Sequence, residues 1–234
     1  MGTRHTPRFD RQAPTPYPHP MPAPLIKICG LTTPAALEAT IAARADYAGL
    51  VIFPPSPRHL ALADAAALAA RAAGRIKLVG LFVDAAESLI AEVVTAAKLD
   101  VIQLHGKEDP ARVAAIRAAF GKPVWKATAV STREDIARAE TFAGAADLVL
   151  FDAKPPKGAA IPGGLGLVFD WTLLAGYKAP LPWGLAGGLS PANVAEAVRI
   201  TQAPLVDVSS GVESAPGVKD DALITQFCKA ARAA

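Results

Sequence analysis

Cys29 and Lys27 in the run LIKIC, Asp152 closing LVLFD, Arg58 in FPPSPRHL, and Gln103 and His105 in IQLHG could do chemistry on a small polar molecule. Lys27 and Cys29 lie two residues apart, so on an extended strand they point to the same side. A cation beside a thiol lowers its pKa from about 8.5 and favours the thiolate, the form that acts as base or nucleophile. The other reading of Cys29 is a small buried core residue. Asp152 either caps a turn or helix or, in a dry site that raises its pKa, serves as a general acid. Pro54, Pro55 and Pro57 stiffen the loop before Arg58, whose forked guanidinium suits a carboxylate or phosphate there, or else stands solvated. Gln103 and His105 share one side of a strand, and an inward histidine is either a hydrogen-bonded core residue or a catalyst.

Two further stretches suit an anion. Gly187 and Gly188 in LAGGLSPANV, and Ser209 and Ser210 in VDVSSGVE, offer backbone N–H groups and hydroxyls with no bulky side chain in the way. The long run KPPKGAAIPGGLG has the glycine and proline content of an active-site loop. Together they predict a phosphorylated small molecule as substrate.

Such residues need a frame that gathers them. After residue 24, β-branched runs alternate with alanine-rich helical patterns predicted over 34–44, 61–73, 86–97, 109–120, 132–143, 170–176, 190–200 and 220–232. Strands that read as apolar runs between amphipathic helices belong to a parallel sheet covered on both faces. Eight β-then-α units predict an α/β chain folded as a single-domain (β/α)8 TIM barrel over 25–234, with its active site on the loops leaving the strands' C-terminal ends. A doubly wound sheet would have fewer strands, and its GxGxxG signature does not follow the first one. Residues 1–24 hold seven prolines and three arginines and read as a disordered extension.

Composition agrees with an enzyme of this kind. Hydrophobic residues make up 52% of the 234 and charged residues 19%, with a net charge of +3 whose basic residues are scattered. That weighs against a nucleic-acid partner. With neither an 18-residue apolar run nor a secretory leader, the expectation is a soluble cytoplasmic protein, monomer or homodimer, that engages no membrane. The two cysteines, Cys29 and Cys228, fit neither a disulfide framework nor a metal-ligand spacing, and Cys228 reads as core.

The motifs KICGLT, FPPSPRHL, VGLFVD, VIQLHG, LFDAK, GGLG followed by FDW, LAGGLSPANV and VDVSSGVE, in this order from about 25 to 232, resemble the phosphoribosylanthranilate isomerase family. The resemblance implies a cofactor-free Amadori rearrangement in tryptophan biosynthesis. It implies Cys29 as general base, Asp152 as general acid and Arg58 as partner of the anthranilate carboxylate. Phosphate would be held by the main chain around Gly164, Gly166, Gly187, Gly188, Ser209 and Ser210. Lys27, Gln103, His105 and Asp207 are expected as further substrate contacts, Asp207 steadying sugar hydroxyls or serving as a hydrogen-bonded structural residue. One departure is Leu165 in GGLG, where the family usually has Ser or Thr. The rivals on the same scaffold are an indoleglycerol-phosphate synthase, which would want a catalytic lysine pair and an acidic residue at other strand ends, and a pentose-phosphate epimerase, whose metal-binding His/Asp set is poorly supplied. Only four histidines are present, two of them before residue 25.

Overall fold

The computed structural model describes residues 23–156, 158–159 and 161–234, so the extension expected over 1–24 lies outside it except for Ala23 and Pro24. The chain then runs β1 (Leu25–Cys29), α1 (Pro34–Ala42), β2 (Tyr47–Ile52), α2 (Leu62–Ala72), β3 (Lys77–Phe82), α3 (Glu87–Ala96), β4 (Val101–Leu104) and α4 (Pro110–Phe120). It continues with β5 (Val124–Val130), α5 (Arg133–Ala139), β6 (Leu148–Ala153), β7 (Trp183–Leu185), α6 (Val194–Thr201) and β8 (Leu205–Val208). A short ribbon, β9 (Glu213–Ala215) and β10 (Val218–Lys219), precedes α7 (Asp221–Arg232). Strands β1 to β8 pair in chain order and β8 closes on β1, giving the expected eight-stranded parallel barrel. No described helix is long and apolar enough to cross a membrane.

Local chemistry sets the helix starts. Thr33, Asp109, Thr132 and Asp220 each accept from the amide three residues on, satisfying a donor that the first turn would leave open. Pro34 and Pro110 occupy the first turn, where the missing N–H costs nothing.

Alternation along the strands builds two cores. In β6, Val149, Phe151 and Ala153 face the helices, while Leu148 and Leu150 face the barrel axis. The axial layer near the strands' N-terminal ends packs Trp125, Val101, Leu148 and Leu205, with the Tyr47 ring edge-on to Trp125 at 4.9 Å. Cys29, Val51 and Leu81 form a separate small cluster towards the other end. The polar residues that interrupt this filling sit where the strands end.

Three connections differ from the sequence expectation. Between β6 and β7 the helix expected over 170–176 is one 3-10 turn, Trp171–Leu174, after which Gly176 takes φ 68° and Pro180 and Pro182 follow. The helix expected from 190 begins at Val194. Asn193 diverts the preceding residues into a turn by accepting from the Ser190 amide (2.8 Å) and donating to the Gly188 carbonyl (3.0 Å). The β9–β10 ribbon was not expected, although it turns at Pro216-Gly217, a pair that commonly marks turns.

Candidate active site

The C-terminal ends of the strands surround a cavity to which Cys29, Arg58, Gln103, His105, Asp152 and Asp207 all contribute. Parallel register brings them level: Lys27 pairs with Asp207 across β1 and β8, and Ala129 with Asp152 across β5 and β6.

Lys27, expected as a substrate contact, lies below the cavity rather than on its wall. It is fully buried, and Nζ donates to both oxygens of Asp207, at 3.0 and 2.9 Å. Burial works against its charge, but Asp207 and Cys29 outweigh that and raise its pKa. Asp207 therefore spends both oxygens on Lys27, which favours the structural side of its two readings. Cys29 is 4% exposed. Burial pushes its thiol up, and Lys27, which pulls it down, does not win. The net lowering expected from a neighbouring lysine is thus corrected: in a fully desolvated position the cost of forming an anion exceeds the gain from one cation already engaged by a carboxylate.

Asp152 closes β6 with its side chain on the axial face. Its Oδ1 accepts from the Ala153 amide at 2.8 Å, and Oδ2 lies 3.2 Å from His105 Nε2. The loop after β6 crosses this pair at Gly163, where an added Cβ would come 2.6 Å from Asp152 Oδ2 and 2.9 Å from His105 Cε1. Only glycine leaves the carboxyl and imidazole in place there. Behind His105, buried Lys126 donates to the carbonyls of Gly106 and Ala127 (both 2.8 Å) and lies 3.2 Å from Glu108. Glu108 accepts from the amides of Gly106 and Asp84, fixing the turn that follows His105. Gln103, inward on β4, keeps a buried Oε1 without a partner among the described residues. Such an acceptor costs stability unless something fills it, so it suits a substrate donor.

Arg58 is buried, and its stem lies over Gly30 so closely that a Cβ there would come 2.6 Å from Cδ. Its fork is paired with Glu213, Nε to Oε1 at 2.7 Å and Nη2 to Oε2 at 2.8 Å, and Nη2 also reaches the Gly164 carbonyl at 3.2 Å.

The glycine-rich turns meet beside this group. Gly164, Gly166, Gly187 and Gly188 all have positive φ, between 63° and 78°. Residues Gly187, Gly188, Ser209 and Ser210 line the cavity, and Gly166 borders the adjoining cleft with Gly188 and Ser210. Among the described residues, the amides of Gly187, Gly188, Ser209 and Ser210 donate to no protein acceptor, which leaves them for an anion. Leu165, the residue that departs from the family pattern, is 42% exposed and borders the same adjoining cleft.

Sequence reasoning missed Glu213, Lys219, Gly163 and the Lys126–Glu108 brace. Glu213 was in view as the last residue of VDVSSGVE, yet nothing local marks a glutamate as the partner of an arginine 155 positions away. Among the described residues no three His, Cys, Asp or Glu side chains converge as a metal site.

The family model for N-(5'-phosphoribosyl)anthranilate (PRA) isomerase matches residues 26–230. The N-(5'-phosphoribosyl)anthranilate isomerase of Rhodopseudomonas palustris (strain HaA2) is 54% identical over 209 residues, covering 89% of this chain and 96% of its own. Among solved structures, one of monomers generated from dimeric phosphoribosylanthranilate isomerase of Thermotoga maritima superposes with a TM-score of 0.78 at 33% identity. It covers 90% of this chain and all of that one. A phosphoribosyl anthranilate isomerase in complex with reduced 1-(o-carboxyphenylamino)-1-deoxyribulose 5-phosphate gives 0.79 at 32% identity with the same coverage. With nearly all of the barrel matched, and the strand-end cysteine, aspartate and arginine around one cavity, the chain belongs to the N-(5'-phosphoribosyl)anthranilate isomerase family.

Proposed function

We propose that this chain converts N-(5'-phosphoribosyl)anthranilate to 1-(2-carboxyphenylamino)-1-deoxyribulose 5-phosphate, the aldose–ketose isomerisation of tryptophan biosynthesis, with Asp152 as general acid and Cys29 as general base. The observation that carries this reading is the joining, in one cavity, of a carboxyl, a thiol and a guanidinium with turns whose amides are free for an anion.

The chemistry asks for these groups. Opening the furanose requires a proton on the ring oxygen, which Asp152 gives, while the anilino nitrogen pushes its lone pair towards C1' to make a protonated Schiff base. That cation is an internal electron sink, so loss of the C2' proton needs no external one. Cys29 releases its own proton to solvent and, as the thiolate, takes the C2' proton, leaving an enolamine that tautomerises to the ketose. The positive charge of the Schiff base lies beside the thiol at the moment it must act, and it offsets the burial that holds the resting thiol up. His105, 3.2 Å from Asp152, steadies the acid. Gln103 meets a substrate hydroxyl or amine, Arg58 the anthranilate carboxylate, and the turns of Gly164, Gly166, Gly187, Gly188, Ser209 and Ser210 the phosphate. Lys27 and Asp207 act from beneath through Cys29. Every group comes from one chain, so the reading suits a monomer or a homodimer, in the cytoplasm.

The test is the decay of phosphoribosylanthranilate fluorescence on addition of purified protein, with EDTA present. The wild type should consume the substrate. Cys29→Ser and Asp152→Asn should each lose on the order of 10²-fold or more in kcat, the usual worth of a positioned acid or base. Inhibition by inorganic phosphate should persist in both. Activity equal to wild type in either variant removes that residue from the mechanism, and no decay with wild type removes the activity.

A further inference from the structure

Glu213 opens the ribbon after β8 and is a hub of buried charge. Its side chain is 4% exposed, that of Arg58 5%, and that of Lys219 is fully covered. Besides its two bonds to Arg58, Glu213 accepts from Lys219 Nζ through Oε1 at 2.6 Å and from the Gly217 amide through Oε2 at 3.2 Å. Lys219 Nζ also donates to the Ser209 carbonyl at 3.0 Å, in the turn assigned to phosphate. Burial raises the Glu213 carboxyl, but Arg58 and Lys219 outweigh it and hold the group below the usual carboxylate range. Two cations against one carboxylate leave a single net positive charge, the complement of one substrate carboxylate.

Donor counting then fixes what Arg58 can offer. A guanidinium has five N–H groups. Glu213 takes Nε–H and one hydrogen of Nη2, and the Gly164 carbonyl takes the other. Among the described residues Nη1 keeps both of its hydrogens, so an incoming carboxylate meets Arg58 at Nη1, on the edge turned away from Glu213.

We propose that Glu213 is the positioning residue of the carboxylate subsite: it holds the Arg58 fork so that only Nη1 faces the substrate, and through Lys219 it ties that orientation to the Ser209 turn. This rests on the assignment of Arg58 to the anthranilate carboxylate. A long arginine left to itself would lose rotamer freedom at each binding event, and Glu213 removes that loss in advance.

The experiment compares N-(5'-phosphoribosyl)anthranilate with its carboxylate-free analogue, N-(5'-phosphoribosyl)aniline, in wild type, Arg58→Ala, Glu213→Gln and the double variant. Glu213→Gln should raise KM for the anthranilate substrate about tenfold or more, the worth of a charge-assisted bond, with a much smaller change for the aniline analogue. In the Arg58→Ala background the same change should add no further discrimination between the two substrates. An equal KM rise for both substrates, or a full additional selective loss on top of Arg58→Ala, overturns the proposal. If Arg58→Ala itself does not distinguish the substrates, the Arg58 contact falls and this inference with it. Should Glu213→Gln not fold, Glu213→Gln/Lys219→Met removes carboxylate and cation together, leaves no lone buried lysine, and is read by the same comparison.

Discussion

At the scale of single residues, the sign of the Cys29 shift decides how the enzyme rests. Burial raises the thiol, and Lys27 opposes that without reversing it. The protonated thiol is therefore the resting form at neutral pH, and thiolate grows in only as pH passes above the ordinary cysteine range. Iodoacetamide alkylation of Cys29, measured in a Cys228→Ala background to remove the other free thiol, should have its midpoint above about 8.5, the unperturbed value. Lys27→Met should move it higher still. A midpoint at or below the unperturbed value would mean that the cation wins over burial. Cys29, Asp152 and Arg58 were legible in the sequence because each ends a strand-like run or stands in a proline-stiffened loop beside one. The ionisation of Cys29 was not legible, because it depends on desolvation and on Asp207, which is 180 positions away from Lys27 and already holds it. Glu213 and Lys219 stayed hidden for the same reason: a buried ion pair leaves no local signature.

Elements carry the next level of constraint, and the glycine turns show it most directly. At Gly188, φ is 63° and an added Cβ would come 2.5 Å from both the Leu167 carbonyl oxygen and Val168 Cγ2. The turn after β7 can approach the Leu167 carbonyl and the Val168 side chain of the loop after β6 only because Gly188 presents no side chain there. Gly188→Ala should cost about 1–3 kcal/mol from the strained backbone conformation alone, read as a lower denaturant midpoint. Because it also shifts an amide assigned to phosphate, it should raise the inhibition constant for inorganic phosphate, whereas Gly74→Ala, at φ 75° with open space around it, should affect stability only. Equal phosphate inhibition in the two variants would detach Gly188 from the anion site. The alternation of strand and helix was legible from periodicity, since eight apolar runs between amphipathic segments admit few other arrangements. The failures fell where side chains override the pattern: Asn193 bonding its own turn instead of starting a helix, and Gly176 with two prolines cutting the segment after β6 to one 3-10 turn.

For the molecule as a whole, a closed barrel must fill its axis, and this one fills the level between its apolar layer and its cavity with the buried Lys27–Asp207 pair. The pair joins the first strand to the last, across the seam where the barrel closes. Its cost and its benefit should separate on mutation. Lys27→Met alone leaves Asp207 buried without its partner and should lose about 3–5 kcal/mol in denaturant unfolding, whereas Lys27→Met/Asp207→Leu should recover most of that loss, because apolar replacement of a buried ion pair is often neutral or better. The sign of the pH dependence follows from the raised Lys27 pKa. The contribution of that group to stability is complete below the unfolded lysine value of about 10.4 and is lost as pH rises through the folded value, so in strong alkali the wild type should lose stability that the double variant, which lacks the lysine, keeps. Turnover should not follow stability back. With the ammonium gone, Cys29 loses the main cation that opposes its desolvation, leaving only the weaker pull of Lys219, and the double variant should remain well below wild type in kcat. If it regained both stability and wild-type turnover, the pair would be packing alone, and the thiol would need another explanation for how it becomes a base.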